Sequence, residues 1–363
     1  MENKWIPERI RRLEAYQPAE GECAIRLDAN ESPFAPTDEM RKAFAAALNE
    51  VQFQRYPEPA ASGLISAYSE KYRLPPELIV AGNGSDELIS LICTAFLLPG
   101  DRMAVTAPDF SMYAFYGNLA GAEMVTFEKD RDLCIDSEKL VRFVKENRVR
   151  LLIFSNPCNP TGRLLSRKEV CTVVRETEAL VVVDEAYMEF CEEGESVPPL
   201  IGGGEYPNLI VLKTLSKAYG FAAARIGFAV GERAIAEAIR KVKSPYNLNA
   251  VSQKLGEVIL SFSETAKKNI HVIKENRSAL ERALTKGEGD GAYRLYPSAT
   301  NFVLLRFKDT ANGTGSERAK EMFESLKREG ILVRYILGDC LRITAGTEKE
   351  NDALLSAFFA HIA

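Results

Sequence analysis

The chain has 363 residues, 46% of them hydrophobic and 27% charged, and carries a formal net charge of −5. That length suits two domains on one chain, and the composition excludes a disordered or fibrous polymer. The mild acidity offers no basic field for nucleic acid or an anionic membrane surface.

The opening Met1-Glu2-Asn3-Lys4-Trp5-Ile6-Pro7 lacks the apolar stretch of a secretory leader, and no run of ~18 apolar residues follows. Seven cysteines stand singly, with no Cys-x-x-Cys pair, which reads as a reduced, cytoplasmic pattern rather than a disulfide framework or a zinc site. The only histidines are His271 and His361, the first in a charged stretch and the second near the end. A histidine triad or histidine-rich metal centre would have to be built from these two poor candidates, so no metal is expected, and acid–base work is expected to fall to Lys, Tyr, Asp or a cofactor.

The first forty or so residues hold no strand series and are expected to pack against the C-terminal part. From about Ile79, apolar runs of four to six residues alternate with amphipathic segments. The runs are Leu78–Ala81, Met103–Thr106, Met124–Phe127, Leu151–Phe154, Leu180–Val183, Leu209–Leu212 and Ile226–Val230. They are too short for helices and suit buried strands. The segment Asp86–Leu98, stopped by Pro99-Gly100, exemplifies the helices between them. Alternation of this kind predicts an α/β fold, a mostly parallel central sheet with helices on both faces. A helical stretch from about Asn249 to Leu284 leads into a smaller α+β part with strand candidates at Asn301–Phe307 and Cys340–Thr344. The expected division is residues 1–40, 41–270 and 271–363.

Five features fall beside the ends of predicted strands, the edge where ligands bind in a parallel sheet. Gly82-Asn83-Gly84-Ser85-Asp86-Glu87 follows a strand and opens a helix, an arrangement that exposes backbone N–H groups to an anion, although many such turns are purely structural. The prolines and glycine of Asn156-Pro157-Cys158-Asn159-Pro160-Thr161-Gly162 stiffen a loop that could aim Asn159 into a cleft. Asp184 ends a strand too apolar to be exposed, so its carboxylate requires a cation unless it merely caps a helix. Lys217, in Thr214-Leu215-Ser216-Lys217-Ala218-Tyr219, follows another buried strand. A desolvated lysine there has the lowered pKa that imine formation needs, and Thr214, Ser216 and Arg225 supply donors for a phosphate. Arg342, in Cys340-Leu341-Arg342-Ile343-Thr344, can grip a carboxylate or phosphate, or form an ordinary salt bridge.

Taken together, Gly84-Ser85-Asp86-Glu87, Asn159-Pro160-Thr161-Gly162, Asp184-x-x-Tyr187, Ser216-Lys217 and Arg225 resemble the fold-type-I pyridoxal-phosphate aminotransferases. Within these the chain is most similar to the histidinol-phosphate aminotransferases. The narrower likeness rests on Leu27-Asp28-Ala29-Asn30-Glu31-Ser32-Pro33, Arg55-Tyr56-Pro57 and Leu341-Arg342-Ile343-Thr344-Ala345-Gly346-Thr347. It runs in order from Tyr16 to Asn351.

The resemblance implies pyridoxal 5'-phosphate as cofactor, held by Lys217 as a Schiff base, with the freed amine later moving the substrate's proton. Asp184 would pair with the pyridine nitrogen, Tyr187 and Asn159 would bond the ring's 3' oxygen, and Phe110 would stack on the ring. Gly84, Ser85, Asp86, Thr214, Ser216 and Arg225 would hold the phosphate, joined by Tyr56 of a second subunit in a homodimer. Arg342, assisted by Tyr16, Asn30 and Arg334, would bind the substrate. The implied reaction exchanges amino groups between glutamate and L-histidinol phosphate. An aromatic aminotransferase or a decarboxylase similar to threonine-phosphate decarboxylase stays open on the same cofactor. A non-enzymatic regulator would need a DNA-binding module for which the chain has no room. One departure from the family bears on substrate: only Tyr335–Leu341 separates Arg334 from Arg342, where a longer loop is usual, which would move Arg334 or open the pocket.

Overall fold

The computed structural model describes residues 5–11, 13, 23–191, 195–288, 291–311 and 313–362. After a two-residue strand β1 (Ile25–Arg26), the chain builds its main sheet from β2 (Ile79–Asn83), β3 (Arg102–Ala107), β4 (Glu123–Glu128), β5 (Leu151–Ser155), β6 (Leu180–Asp184), β7 (Leu209–Thr214) and β8 (Ile226–Gly231). The seven apolar runs of the sequence each form one of these strands. Those at the centre are buried on both faces: every residue of β5, β7 and β8 is buried, as are Val181 to Asp184 of β6. Such strands read as continuous Val/Ile/Leu runs because helices cover both sides. The order is β2-β8-β7-β6-β5-β3-β4.

Strand β8 runs antiparallel to both of its neighbours, β2 and β7, while the other pairings are parallel. Its reversal brings the start of β8, and Arg225 just before it, to the edge where the remaining strands end. Helices flanking the sheet carry capping devices. The helix Arg167–Glu176 opens with a reciprocal Ser166–Glu169 box, and Ala250–Ser261 is capped by Asn249.

The expected helical stretch 249–284 divides into Ala250–Ser261 and Ser263–Gly287, with Phe262 leaving helical geometry between them. A second, antiparallel sheet follows, made of β9 (Tyr293–Tyr296), β10 (Phe302–Phe307), β12 (Arg334–Ile336) and β13 (Cys340–Thr344), in the order β12-β13-β10-β9. The intervening β11 (Ile331–Leu332) pairs in parallel with β1. From there residues 27–30 cross to the main sheet. Leu27 bonds to Leu332 and Thr344 through its backbone, and Asn301 Nδ2 donates to the carbonyl of Asn30. A separate apolar core, including Leu280, Tyr293, Val303, Leu326, Ile343 and Phe358, fills the space between this sheet and its helices.

Where β8 meets the exit of β2, two backbones approach closely. A Cβ on Gly227 would stand 2.6 Å from both the Gly84 carbonyl carbon and the Ser85 nitrogen, backbone atoms that cannot swing aside. Gly227→Ala should therefore cost about 1–3 kcal/mol in urea unfolding. Gly203→Ala, with open space around it, should stay within about 0.5 kcal/mol.

Candidate active site

The ends of β2, β5, β6 and β7 and the start of β8 surround a cleft of about 570 Å³, closed on its far side by the N-terminal crossing segment and the β12–β13 hairpin. Its walls hold Asn30, Ser85, Asp86, Phe110, Asn159, Asp184, Tyr187, Thr214, Ser216, Lys217, Arg225, Arg334 and Arg342. Residues distant in sequence thus meet because parallel strands deliver their C-terminal loops to one edge.

Asp184 forms the floor. It is 5% exposed, and its carboxylate accepts from the Tyr113 hydroxyl at 2.8 Å and from the Ala186 N–H at 3.1 Å. Burial raises its pKa to about 6, against those two hydrogen bonds, which favour the charged form. Among the described residues no side-chain cation pairs with it, so a bound cation is what the carboxylate lacks. Three residues on, the buried Tyr187 receives a hydrogen bond on its hydroxyl from Asn30 Nδ2 at 2.9 Å, and its ring meets Phe302 edge-on. Asn30 thus reaches the cleft wall with its amide engaged to Tyr187 and Thr344.

Lys217 leaves β7 into the cleft and donates to the carbonyl of Ala29 at 2.8 Å. Burial, followed by the charge of Arg342, lowers its pKa to about 8. About a tenth is then free amine at pH 7, far more than an ordinary lysine offers, and nucleophilic attack on a carbonyl requires that form. Beside it, Thr214 Oγ1 lies 2.9 Å from Ser216 Oγ, and Arg225 Nη2 donates to Asp86 at 3.2 Å. Arg225 has φ of 51°, a left-handed conformation costly for a residue with a Cβ. At Gly84, φ is 82°, and an added Cβ would come 2.5 Å from Arg225 Nη2. Helix N-terminus, hydroxyls and guanidinium together form a cradle for a phosphate-sized anion. Gly84 shapes that cradle from behind.

The short connection between the two substrate arginines proves to be a tight hairpin. Leu337 and Gly338 both have positive φ, and β12 pairs with β13 so that Arg334 stands directly opposite Arg342. The shortening therefore keeps Arg334 at the cleft, while Ile336 and Leu337 close the same side with apolar surface. Arg342 is buried, reaching Asn159 Oδ1 and the Asp28 carbonyl at 2.6 Å each, with Phe302 beneath its guanidinium. Like charges placed opposite each other in a sheet are destabilising unless an anion joins them.

One residue from the sequence reading stands apart. Tyr56 is 81% exposed and stacks on Tyr246 outside the cleft, and Tyr16 lies outside the described residues. Conversely, Tyr113, Asp109, Ser155 and Glu31 line the cleft without having been singled out. Tyr113 and Asp109 were within reach, since both lie in the Pro108–Tyr113 loop that supplied Phe110. Among the described residues no group of three or more His, Cys, Asp or Glu is placed to hold a metal ion, and no helix is long and apolar enough to cross a membrane.

Comparison with known proteins agrees with this geometry. Residues 23–358 match the family model for aminotransferase class I and II. A histidinol-phosphate aminotransferase of Clostridium kluyveri is 36% identical over 360 residues, 98% of each chain. One of Clostridium novyi is 37% identical over 331 residues, covering 90% of this chain and 88% of that one. Among solved structures, a histidinol-phosphate aminotransferase of Sinorhizobium meliloti in complex with pyridoxal-5'-phosphate superposes with a TM-score of 0.87 at 25% identity, covering 99% of this chain and 98% of that one. With a family match of that extent, the chain belongs to the class I and II aminotransferases.

Proposed function

We propose that the chain is a pyridoxal-phosphate-dependent aminotransferase that exchanges amino groups between L-histidinol phosphate and 2-oxoglutarate. The observation that carries the reading is the pair Arg334 and Arg342, opposed on one hairpin and facing the cleft that holds Lys217. One guanidinium cluster can grip the phosphate of one substrate and the carboxylate of the other, both oxyanions suited to its fork. The names of the full-length relatives support the same substrate.

The residues present fit the cofactor. Asp184, a buried carboxylate lacking a cation, suits a protonated ring nitrogen; Tyr187 and Asn159 suit the ring oxygen, Phe110 the ring face, and the Ser85, Asp86, Thr214, Ser216 and Arg225 cradle the phosphate. When bound, pyridoxal phosphate supplies an electron sink for the bond broken at the substrate's Cα. The chain's own work is positional and protonic. Lys217 would hold the cofactor through its amine, and its Nζ would be the group that takes the proton from the substrate's Cα. Asp184 would pair with the ring nitrogen and favour its protonated form, and the hairpin arginines would fix the substrate's anionic end at the cleft that holds Lys217. We also propose a cytoplasmic homodimer in which the exposed Tyr56 of each chain reaches its partner's phosphate cradle. The domain division at residues 40 and 270 belongs to the same reading.

A rapid-mixing spectrum of the holoenzyme tests the substrate. Histidinol phosphate and glutamate should each convert the cofactor to its amine form in a single turnover, and phenylalanine at equal concentration should be slower by on the order of 10²-fold. Conversion by phenylalanine alone would assign a different substrate. Arg342→Ala should lower kcat/KM for both substrates by on the order of 10²-fold, and an unchanged value for either would remove the shared anion site.

The amine of Lys217 is free above its pKa, so capture of pyridoxal phosphate by the cofactor-free protein should quicken as pH rises, with a midpoint near about 8. Lys217→Ala should show no such capture. For Asp184, a folded-state pKa raised to about 6 means that ionisation costs the cofactor-free protein stability, a cost absent at low pH and complete above pH 6. Asp184→Asn should therefore stabilise the cofactor-free protein at pH 8, by up to on the order of 3 kcal/mol. In thermal melts the gain should shrink at pH 5, while activity is lost at both.

A further inference from the structure

In the cleft wall at Asp109 lies a buried ion pair that the proposed chemistry does not use. Lys129, on the chain leaving β4, places Nζ 3.3 Å from Asp109 Oδ2, with side-chain exposures of 1% and 2%. The ammonium also donates to the Pro108 carbonyl at 2.6 Å and contacts Cys158 Sγ at 2.9 Å, so three acceptors serve its three protons. Asp109 in turn collects donors from both neighbouring strand exits. Thr106 Oγ1 donates at 2.6 Å, the Phe110 N–H at 2.8 Å, and Ser155 through its hydroxyl. Ser155 Oγ then accepts from the Asn159 N–H at 3.0 Å, and Asn159 Oδ1 accepts from Arg342 at 2.6 Å. One unbroken series of contacts therefore runs from Lys129 through Asp109, Ser155 and Asn159 to Arg342, with Phe110 attached at Asp109.

Burying two charges this deeply does little for stability, since an apolar pair of similar volume usually serves as well. What the pair does provide is a fixed point shared by the loops that follow β3 and β5, which Cys158 Sγ also joins at the Pro108 carbonyl. Resting on the function proposed above, we infer that Lys129 is a positioning residue: acting through Asp109 and Ser155, it holds Phe110 and Asn159 as one unit against the cofactor ring and steadies the substrate-facing Arg342. Without the ammonium, the buried Asp109 carboxylate loses the cation of its pair, its hydrogen bonds rearrange, and both ring contacts loosen together.

The test uses the intact chain with pyridoxal phosphate as the probe. Two quantities are measured: the dissociation constant of the cofactor, and the visible circular dichroism of cofactor bound to Lys217, which reports how the ring is held. Lys129→Met should raise the dissociation constant on the order of tenfold and roughly halve the visible dichroism, with far-ultraviolet dichroism unchanged. Ser155→Ala should move both readouts in the same direction. Because both changes act through Asp109, the double variant should fall well short of the product of the two effects. A Lys129→Met protein within about twofold of the parent in affinity, with full visible dichroism, overturns the inference, as do effects that multiply independently. If Lys129→Met fails to fold, Ser155→Ala decides alone, an unchanged ring signal overturning the inference. Failure of the parent protein to bind pyridoxal phosphate at Lys217 would instead overturn the function on which it rests.

Discussion

A carboxylate held ionised in a dry sheet edge must have positive charge brought to it, and the arrangement of this cleft follows from that need at Asp184. The strand behind it is buried on both faces, so water cannot do the work. Two hydrogen bonds from Tyr113 and Ala186 hold the carboxyl's direction without neutralising it. The remaining groups are distributed to suit a ligand that is cationic at one atom and anionic at two ends. Lysine and one cradle of donors face one anionic end, and opposed arginines face the other. Affinity for such a ligand is drawn from charges held in a dry cleft, where Lys217 and Asp184 both depart from their ordinary pKa values in directions that burial explains.

Much of this was legible in the chain because local rules and global fold agree there. Seven apolar runs between amphipathic segments give seven strands, and the residues that follow five of them, β2, β3, β5, β6 and β7, line the cleft. The reversal of β8 was not anticipated, although a signal exists: the link between β7 and β8 spans only residues 215–225 and carries no crossover helix, which a parallel connection needs. Strands β9 and β12 escaped for a different reason. Tyr293-Arg294-Leu295-Tyr296 and Arg334-Tyr335-Ile336 are short and mix charge with aromatic residues, so neither shows a clean apolar run, and pairing across the sheet decides their conformation. The break at Phe262 has no glycine or proline to announce it.

The site was legible only where a motif named it. Lys217, Asp184 and Arg225 declare themselves by type and by position after or before a buried strand. The supports do not. Tyr113 meets Asp184 across 71 residues, and Asn30 meets Tyr187 across 157, and no local pattern encodes such meetings. The shortened hairpin shows the opposite error. Loss of loop length suggested a displaced Arg334 or an opened pocket, whereas positive φ at Leu337 and Gly338 lets the chain reverse tightly and puts that arginine opposite Arg342.

The carbonyl of Ala29, against which Lys217 rests, belongs to a ribbon anchored elsewhere: its upstream residues are bonded to β11 and to Thr344 at the end of β13. The amine and the arginine hairpin are consequently leveraged on a common beam. An oxyanion that neutralises Arg342 would relieve the charge that, after burial, lowers the Lys217 pKa. Occupancy of the anion pocket is thereby coupled to the proton on Nζ, and by reciprocity the state of that proton is felt by the anion.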